Sequence, residues 1–189
     1  MRMDDLPMNI FFTSDMHFGH AKIIEYSNRP FKNVNHMNQE LIKRWNNRVN
    51  PQDVVYHIGD FSMKGVKNAI YWESKLNGKI VHIQGNHDRN NGVKTYIVKC
   101  IMHFGGKSIY CEHRPPHHSG DVPHGCDFMI CGHVHEKWKF KKIDGYDGPI
   151  INVGTDVWNY EPVSVHSLLK YYRKLVNNDA DFSARFAKK

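Results

Sequence analysis

Residues 79–88 read KIVHIQGNHD, a short apolar run that stops at four polar residues. The run has the length of a buried strand. Its tail, Gly85-Asn86-His87-Asp88, places an amide oxygen, an imidazole and a carboxylate in succession at the point where the strand must turn. The same arrangement recurs along the chain. NIFFTSD (9–15) delivers Asp15 and, two residues on, His17; VVYHIGD (54–60) delivers Asp60; CDFMIC (126–131) runs into Gly132-His133-Val134-His135. The stretch 97–112, broken at Gly105-Gly106, reads as one or two strands that end at His113. Between these runs lie helical patterns. Residues 36–49 place Met37, Leu41, Ile42, Trp45 and Val49 at helical spacing before Pro51, and 66–76 read as a second helix with Gly78 just past its end. PIINVGT (149–155) reads as a further strand, and from Ser164 the chain suits either a helix or a strand start. Strands alternating with helices predict an α/β core. In open α/β sheets ligands bind outside the carboxyl ends of the strands, where all these polar residues fall.

The bulk numbers agree with one domain. The chain has 189 residues, of which 40% are hydrophobic and 24% charged, ordinary for a globular unit of this size. A single domain over 1–176 is expected, followed by a polar, basic tail at 177–189 that frays. No apolar stretch approaches the roughly 20 residues of a membrane span, and the N-terminus lacks the long apolar core of a signal peptide, so a cytoplasmic protein is expected. The four cysteines form no CxxC pair and read as buried reduced thiols. Fourteen histidines are many for this length, and neutral imidazole is a common metal ligand. The net charge of +7 favours anionic partners such as nucleotides or nucleic acid, although it also serves solubility.

Each motif alone admits an ordinary reading. D-x-H at Asp15 and His17 resembles a capping aspartate beside a chance histidine; Gly59-Asp60 resembles a turn; H-x-H at His133 and His135 resembles a surface pair. On an extended segment, side chains two apart point the same way, so the D-x-H pair can grip one ion, and the H-x-H pair can reach one ion together or a different ion each. One Asp60 carboxylate, with two oxygens, can bridge two cations. Asn86 offers a neutral oxygen. His87 can protonate a leaving group, with Asp88 accepting from its other ring nitrogen. His113 competes with His103, His117, His118 and His124, and is preferred because it ends an apolar run as the other ligands do. Together, five groups of ligand type at five strand ends argue for a metal centre.

The ordered set D-x-H, G-D, G-N-H-D, H-x-P and G-H-x-H over residues 15–135 resembles the calcineurin-like metallophosphoesterases, and SDMHFGH, VVYHIGDFS and NVGTDVWNYEPVSV resemble a compact prokaryotic or phage branch of them. The resemblance implies a sandwich of two mixed β-sheets flanked by helices. It implies that Asp15, His17 and His135 hold one divalent metal, that Asn86, His113 and His133 hold a second, and that Asp60 bridges them. It implies His87 as the acid or the phosphate-contacting residue, with Asp88 orienting it. The N/O ligand set suits Mn²⁺, with Fe, Zn²⁺ or Ni²⁺ as alternatives, over Ca²⁺ or Mg²⁺. The implied reaction is hydrolysis of a phosphodiester or phosphomonoester, of nucleotides or nucleic-acid ends, by a hydroxide shared between the metals. His20, Arg29, Arg89 and Arg114 are candidate substrate contacts, since guanidinium matches phosphate with a bidentate fork. Competing readings are a protein phosphatase, a metal-loaded binding module without catalysis, and a basic nucleic-acid-binding protein with structural metal. No obligate protein partner is expected.

Overall fold

The computed structural model describes residues 8–63, 67–89, 91–95 and 97–177. Four strands form the first sheet: β1 (Ile10–Thr13), β2 (Val54–His57), β3 (Lys79–His82) and β9 (Val163–Ser164), in the order β3-β2-β1-β9. β1, β2 and β3 are parallel, and β9 runs antiparallel to β1. The second sheet has five: β4 (Lys99–Phe104), β5 (Lys107–Glu112), β6 (Phe128–Cys131), β7 (Phe140–Lys141) and β8 (Ile150–Asn152), in the order β4-β5-β6-β8-β7. There β5, β6 and β8 are parallel, whereas β4 and β7 are antiparallel to their neighbours. Both sheets are mixed, as the family resemblance implies.

The pleat sorts side chains between two cores. In β1, Phe11 faces helices α1 (Ile23–Tyr26), α2 (Val34–Arg48) and α3 (Ala69–Glu73), joining Met37, Leu41, Trp45 and Trp72. Its neighbour Phe12 faces the other way, into the space between the sheets, where it meets Ile58, Ile109, Phe128, Ile130 and Ile151. Helix α4 (Val165–Asn177) adds Leu168, Leu169 and Tyr172 to that central core. The outer face of the second sheet (Tyr110, Met129, Cys131, Ile150) is packed by Val122 and Cys126 with Trp138, Ile143 and Tyr146, all from loops.

Several boundaries shift from the sequence reading. Helix α2 begins at Val34, two residues early, because the Asn33 side chain caps it by accepting from the His36 N–H. The 66–76 helix shortens to Ala69–Glu73, capped by Asn68. The 97–112 stretch is a hairpin turning at Gly105-Gly106, with Cys100 opposite Cys111. The ambiguous segment at Ser164 is both things: a two-residue strand that passes directly into a helix. All four cysteines are free, and three are buried. The expected fraying tail lies outside the described residues beyond Asn177. Among the described residues, no helix is long and apolar enough to cross a membrane.

The parallel strands β1, β2, β3, β5, β6 and β8 send their carboxyl ends to one rim of the sandwich. There the two sheets are stitched together: Ser14, after β1, bridges Gly154, after β8, and the Thr155 N–H donates to the Ser14 carbonyl.

Candidate metal centre

Two ligand clusters meet on this rim. Asp15, His17 and His135 each offer a ligand atom within 4.8 Å of the others, and so do Asp60, His113 and His133. Asp60 lies between them. Its Oδ2 is 3.6 Å from His17 Nε2 in one cluster and 3.3 Å from His113 Nε2 in the other. Its Oδ1 is occupied elsewhere, accepting the His87 N–H at 2.8 Å. One oxygen anchors the carboxylate and the other faces both clusters. The Asn86 Oδ1 lies 3.1 Å from His113 Nε2, so the amide joins the second cluster.

The backbone that builds this centre is costly. Eight non-glycine residues among those described have positive φ, and five are candidate ligands: Asp15 (58°), His17 (52°), Asp60 (59°), His133 (70°) and His135 (49°). Such conformations cost about 1–3 kcal/mol each and persist where the surroundings impose them. They also correct the expectation of extended D-x-H and H-x-H segments. The chain instead coils through left-handed residues, which brings Asp15 and His17 together but divides His133 from His135, one to each cluster. Backbone bonds fix the coils: the Asp15 and His17 N–H groups donate to the carbonyls of Gly59 and Asp60. Both Asp15 oxygens accept the His133 N–H at 3.0 Å. Gly59 permits the approach of neighbouring loops: a Cβ there would sit 2.5 Å from His113 Nδ1 and 2.6 Å from Gly85 Cα.

Each imidazole is turned so that a nitrogen faces the centre. His113 Nδ1 lies 2.7 Å from the Ile58 carbonyl; a carbonyl only accepts, so Nδ1 carries a proton and Nε2 points inward. His135 Nδ1 likewise faces Asp156 Oδ2 at 3.3 Å. His17 is almost completely buried, and neither of its ring nitrogens has a hydrogen-bond partner. An orphaned buried imidazole beside a carboxylate that faces two clusters fits a cation.

Charge reinforces this. Burial raises the Asp15 carboxyl and pushes His17 well below the ordinary imidazole range. Burial also drives His133 down to about 4, helped by the charge of His113. At His113 burial opposes the charged form, but the hydrogen bond to Asp60 and the charges of Asp15 and Asp60 outweigh it and lift the group to about 9. Burial likewise works against the Asp60 anion, yet the His113 hydrogen bond and charge hold its carboxyl well below the usual range. The metal-free centre thus pairs a protonated His113 with an ionised Asp60.

The surrounding residues divide. His87 stands at the mouth, its side chain 47% exposed and its Nε2 3.9 Å from Asp60 Oδ2. Half-buried His20 has its ring 5.4 Å from that of His17. Arg89 and Arg114 are exposed and line a cleft of about 440 Å³ that ends on Asn86 and His113. Two expected roles are corrected. Asp88 does not hold the His87 ring: its carboxylate accepts from the N–H groups of Asp60, Phe61 and Gly85 and from the Asn91 side chain, tying two ligand loops together. Arg29 does not face substrate: all five of its N–H donors are spent. They go to both oxygens of Asp156, to the carbonyls of Asp15 and Met16, and to the Met37 sulfur.

Asp156 is the residue that sequence reasoning missed. It joins buried Arg29 to His135 and thereby orients a candidate ligand. Asn152 assists by donating to the His135 carbonyl. A signal was present, since Gly154-Thr155-Asp156 follows a strand as the ligand motifs do.

The family model of the calcineurin-like phosphoesterase superfamily domain matches residues 8–162. The chain belongs to the calcineurin-like phosphoesterase superfamily. It is similar to an uncharacterized protein of Methanocaldococcus jannaschii, 38% identical over 175 residues that cover 87% of this chain and 92% of the relative. It also matches the gene 66 protein of Mycobacterium phage D29, 38% identical over 84 residues, 43% of this chain and 41% of that one. A protein of unknown function from Aquifex aeolicus shares the fold with a TM-score of 0.68, at 23% identity over 87% of this chain and 100% of the other. The calcineurin-like fold of two mixed sheets and the divalent-metal character of the superfamily agree with the Asp/His clusters on the rim.

Proposed function

We propose that this chain is a dinuclear-metal-dependent phosphoesterase that hydrolyses phosphodiester or phosphomonoester bonds of nucleotides or nucleic-acid ends. The observation that carries the reading is the Asp60 Oδ2 position between the two ligand clusters. Asp15, His17 and His135 would hold one ion, and Asn86, His113 and His133 the other, with Asp60 shared. The N/O donors favour Mn²⁺. Two such ions would supply charge for the phosphoryl oxygens and a nucleophile ionised near neutral pH.

The protein's own groups do the rest. Asp88 and Arg29, by fastening the ligand loops, hold the carboxylates and imidazoles in place without reorganisation. His87, half exposed at the mouth, holds a proton at Nε2 and hands it to the leaving oxygen, help worth about 10²–10⁴-fold. His20, with its ring 5.4 Å from that of His17, is a candidate substrate contact. The charge of +7 favours approach of anionic substrates to the protein.

The test is hydrolysis of bis(p-nitrophenyl) phosphate and p-nitrophenyl phosphate with added Mn²⁺. Turnover is expected, with a loss of about a hundredfold or more in His87→Ala at unchanged metal content and loss of bound metal in Asp60→Ala. Absence of turnover on either ester with both sites loaded would overturn the proposal and leave a metal-loaded binding module.

A further inference from the structure

The three arginines near the rim have opposite fates. Arg29 is buried with every donor engaged. Arg89 and Arg114 are exposed, and neither has a hydrogen-bond or ion-pair partner among the described residues. They come from different loops, Arg89 after β3 and Arg114 after β5, yet both line one cleft. Two unspent bidentate forks converging on one space are an anion-binding arrangement.

The cleft is continuous with the metal centre, because Asn86 and His113 form its inner end. At about 440 Å³ it exceeds what one phosphoryl group needs and falls in the range of small-ligand pockets. Its remaining lining is mixed. Glu112 presents a carboxylate whose Oε2 is taken by the Tyr110 hydroxyl at 2.6 Å, leaving Oε1 as an acceptor. Gln84 offers an amide, and Val98 is an exposed apolar surface. A carboxylate in the cleft disfavours a ligand that is anionic throughout. It suits one that carries an anion at the arginines and hydroxyl or amino donors beside it.

Resting on the phosphoesterase reading above, we infer that this cleft is a second-phosphate subsite. The substrate is then a nucleotide unit with two phosphate groups, the scissile one at the metal centre and the other held by Arg89 and Arg114. Its sugar hydroxyl or base amine is received by Glu112.

The experiment compares kcat/KM of the Mn²⁺-loaded protein on adenosine 3′,5′-bisphosphate, 3′-AMP and 5′-AMP, with bis(p-nitrophenyl) phosphate run alongside. The bisphosphate is expected to exceed the better monophosphate by about tenfold to a hundredfold, the worth of charge-assisted contacts. In the Arg89→Gln/Arg114→Gln double variant that ratio should fall to within about twofold, chiefly through KM; Arg29 is left intact so that the fold is preserved. Turnover of the artificial diester without a bisphosphate preference, or a preference that survives the double variant, would overturn the subsite while leaving the phosphoesterase reading intact. No turnover of any ester would overturn that reading first, and the subsite with it.

Discussion

Asp156→Asn removes one negative charge from a chain of contacts that runs Arg29–Asp156–His135. The Arg29 and Asp156 side chains are 0% and 1% exposed, and the two bonds between them measure 2.8 and 2.9 Å. Breaking such a buried pair leaves the guanidinium uncompensated, which costs about 3–5 kcal/mol. Asn keeps one oxygen acceptor, so the lower end applies, about 3 kcal/mol. For a chain of this length each kcal/mol moves the melting temperature by roughly 2–4 °C, so the metal-free variant should melt roughly 6–12 °C below the parent. A second effect is separable. Asp156 Oδ2 faces His135 Nδ1, and loss of such an outer partner weakens metal affinity about 10–100-fold. Scanning calorimetry of the metal-free protein reads the first effect, and Mn²⁺ titration below the melting transition reads the second. A variant that melts within a degree of the parent and binds Mn²⁺ within twofold would refute the assignment of Asp156 as the group that orients the ligand.

Three further outcomes follow from particular contacts. Gly59→Ala must place a Cβ 2.5 Å from His113 Nδ1 at φ +89°; overpacking of this kind costs about 1–3 kcal/mol before the strain is added, and urea unfolding should register at least about 2 kcal/mol lost together with weakened metal binding. Asp88→Asn turns an NH₂ group toward two backbone or side-chain N–H donors that the carboxylate now satisfies; each unsatisfied buried group costs about 1–3 kcal/mol, so a loss of about 2–6 kcal/mol is expected in urea, and a stability within 0.5 kcal/mol, about the error of such comparisons, would contradict the clamp. His113, lifted to about 9 in the metal-free protein, must give up a proton to bind metal. Its raised value stabilises the metal-free fold fully below the unfolded value near 6.5, and that contribution fades as pH climbs through about 9. Mn²⁺ binding at pH 7.5 should therefore release protons, measurable as a buffer-dependent enthalpy, and apparent affinity should rise with pH up to about 9.

Much of the candidate centre was legible in the chain because its candidate ligands share one grammar. Asp15, Asp60, Asn86, His113 and His133 each lie shortly past an apolar run, and the fold turns those runs into strands whose carboxyl ends share a rim. What escaped depends on contacts between distant positions. Arg29 looked like a phosphate contact because a loop arginine carries no mark of its partner, and Asp156 is 127 residues away. Asp88 looked like a partner of its neighbour His87, whereas its acceptors serve backbone N–H groups 27 and 28 residues earlier. The left-handed backbone at Asp15, His17, Asp60, His133 and His135 was hidden for a different reason: such angles are uncommon for any residue but glycine, even for Asp and His, and are imposed by the loops around them.

The most direct test of the account is the anomalous-scattering map of a crystal grown with Mn²⁺. Two peaks about 3.5–4 Å apart, both in contact with Asp60, one against Asp15, His17 and His135 and the other against Asn86, His113 and His133, are the predicted result. A single peak, or two that do not share Asp60, would contradict the dinuclear centre on which the rest depends.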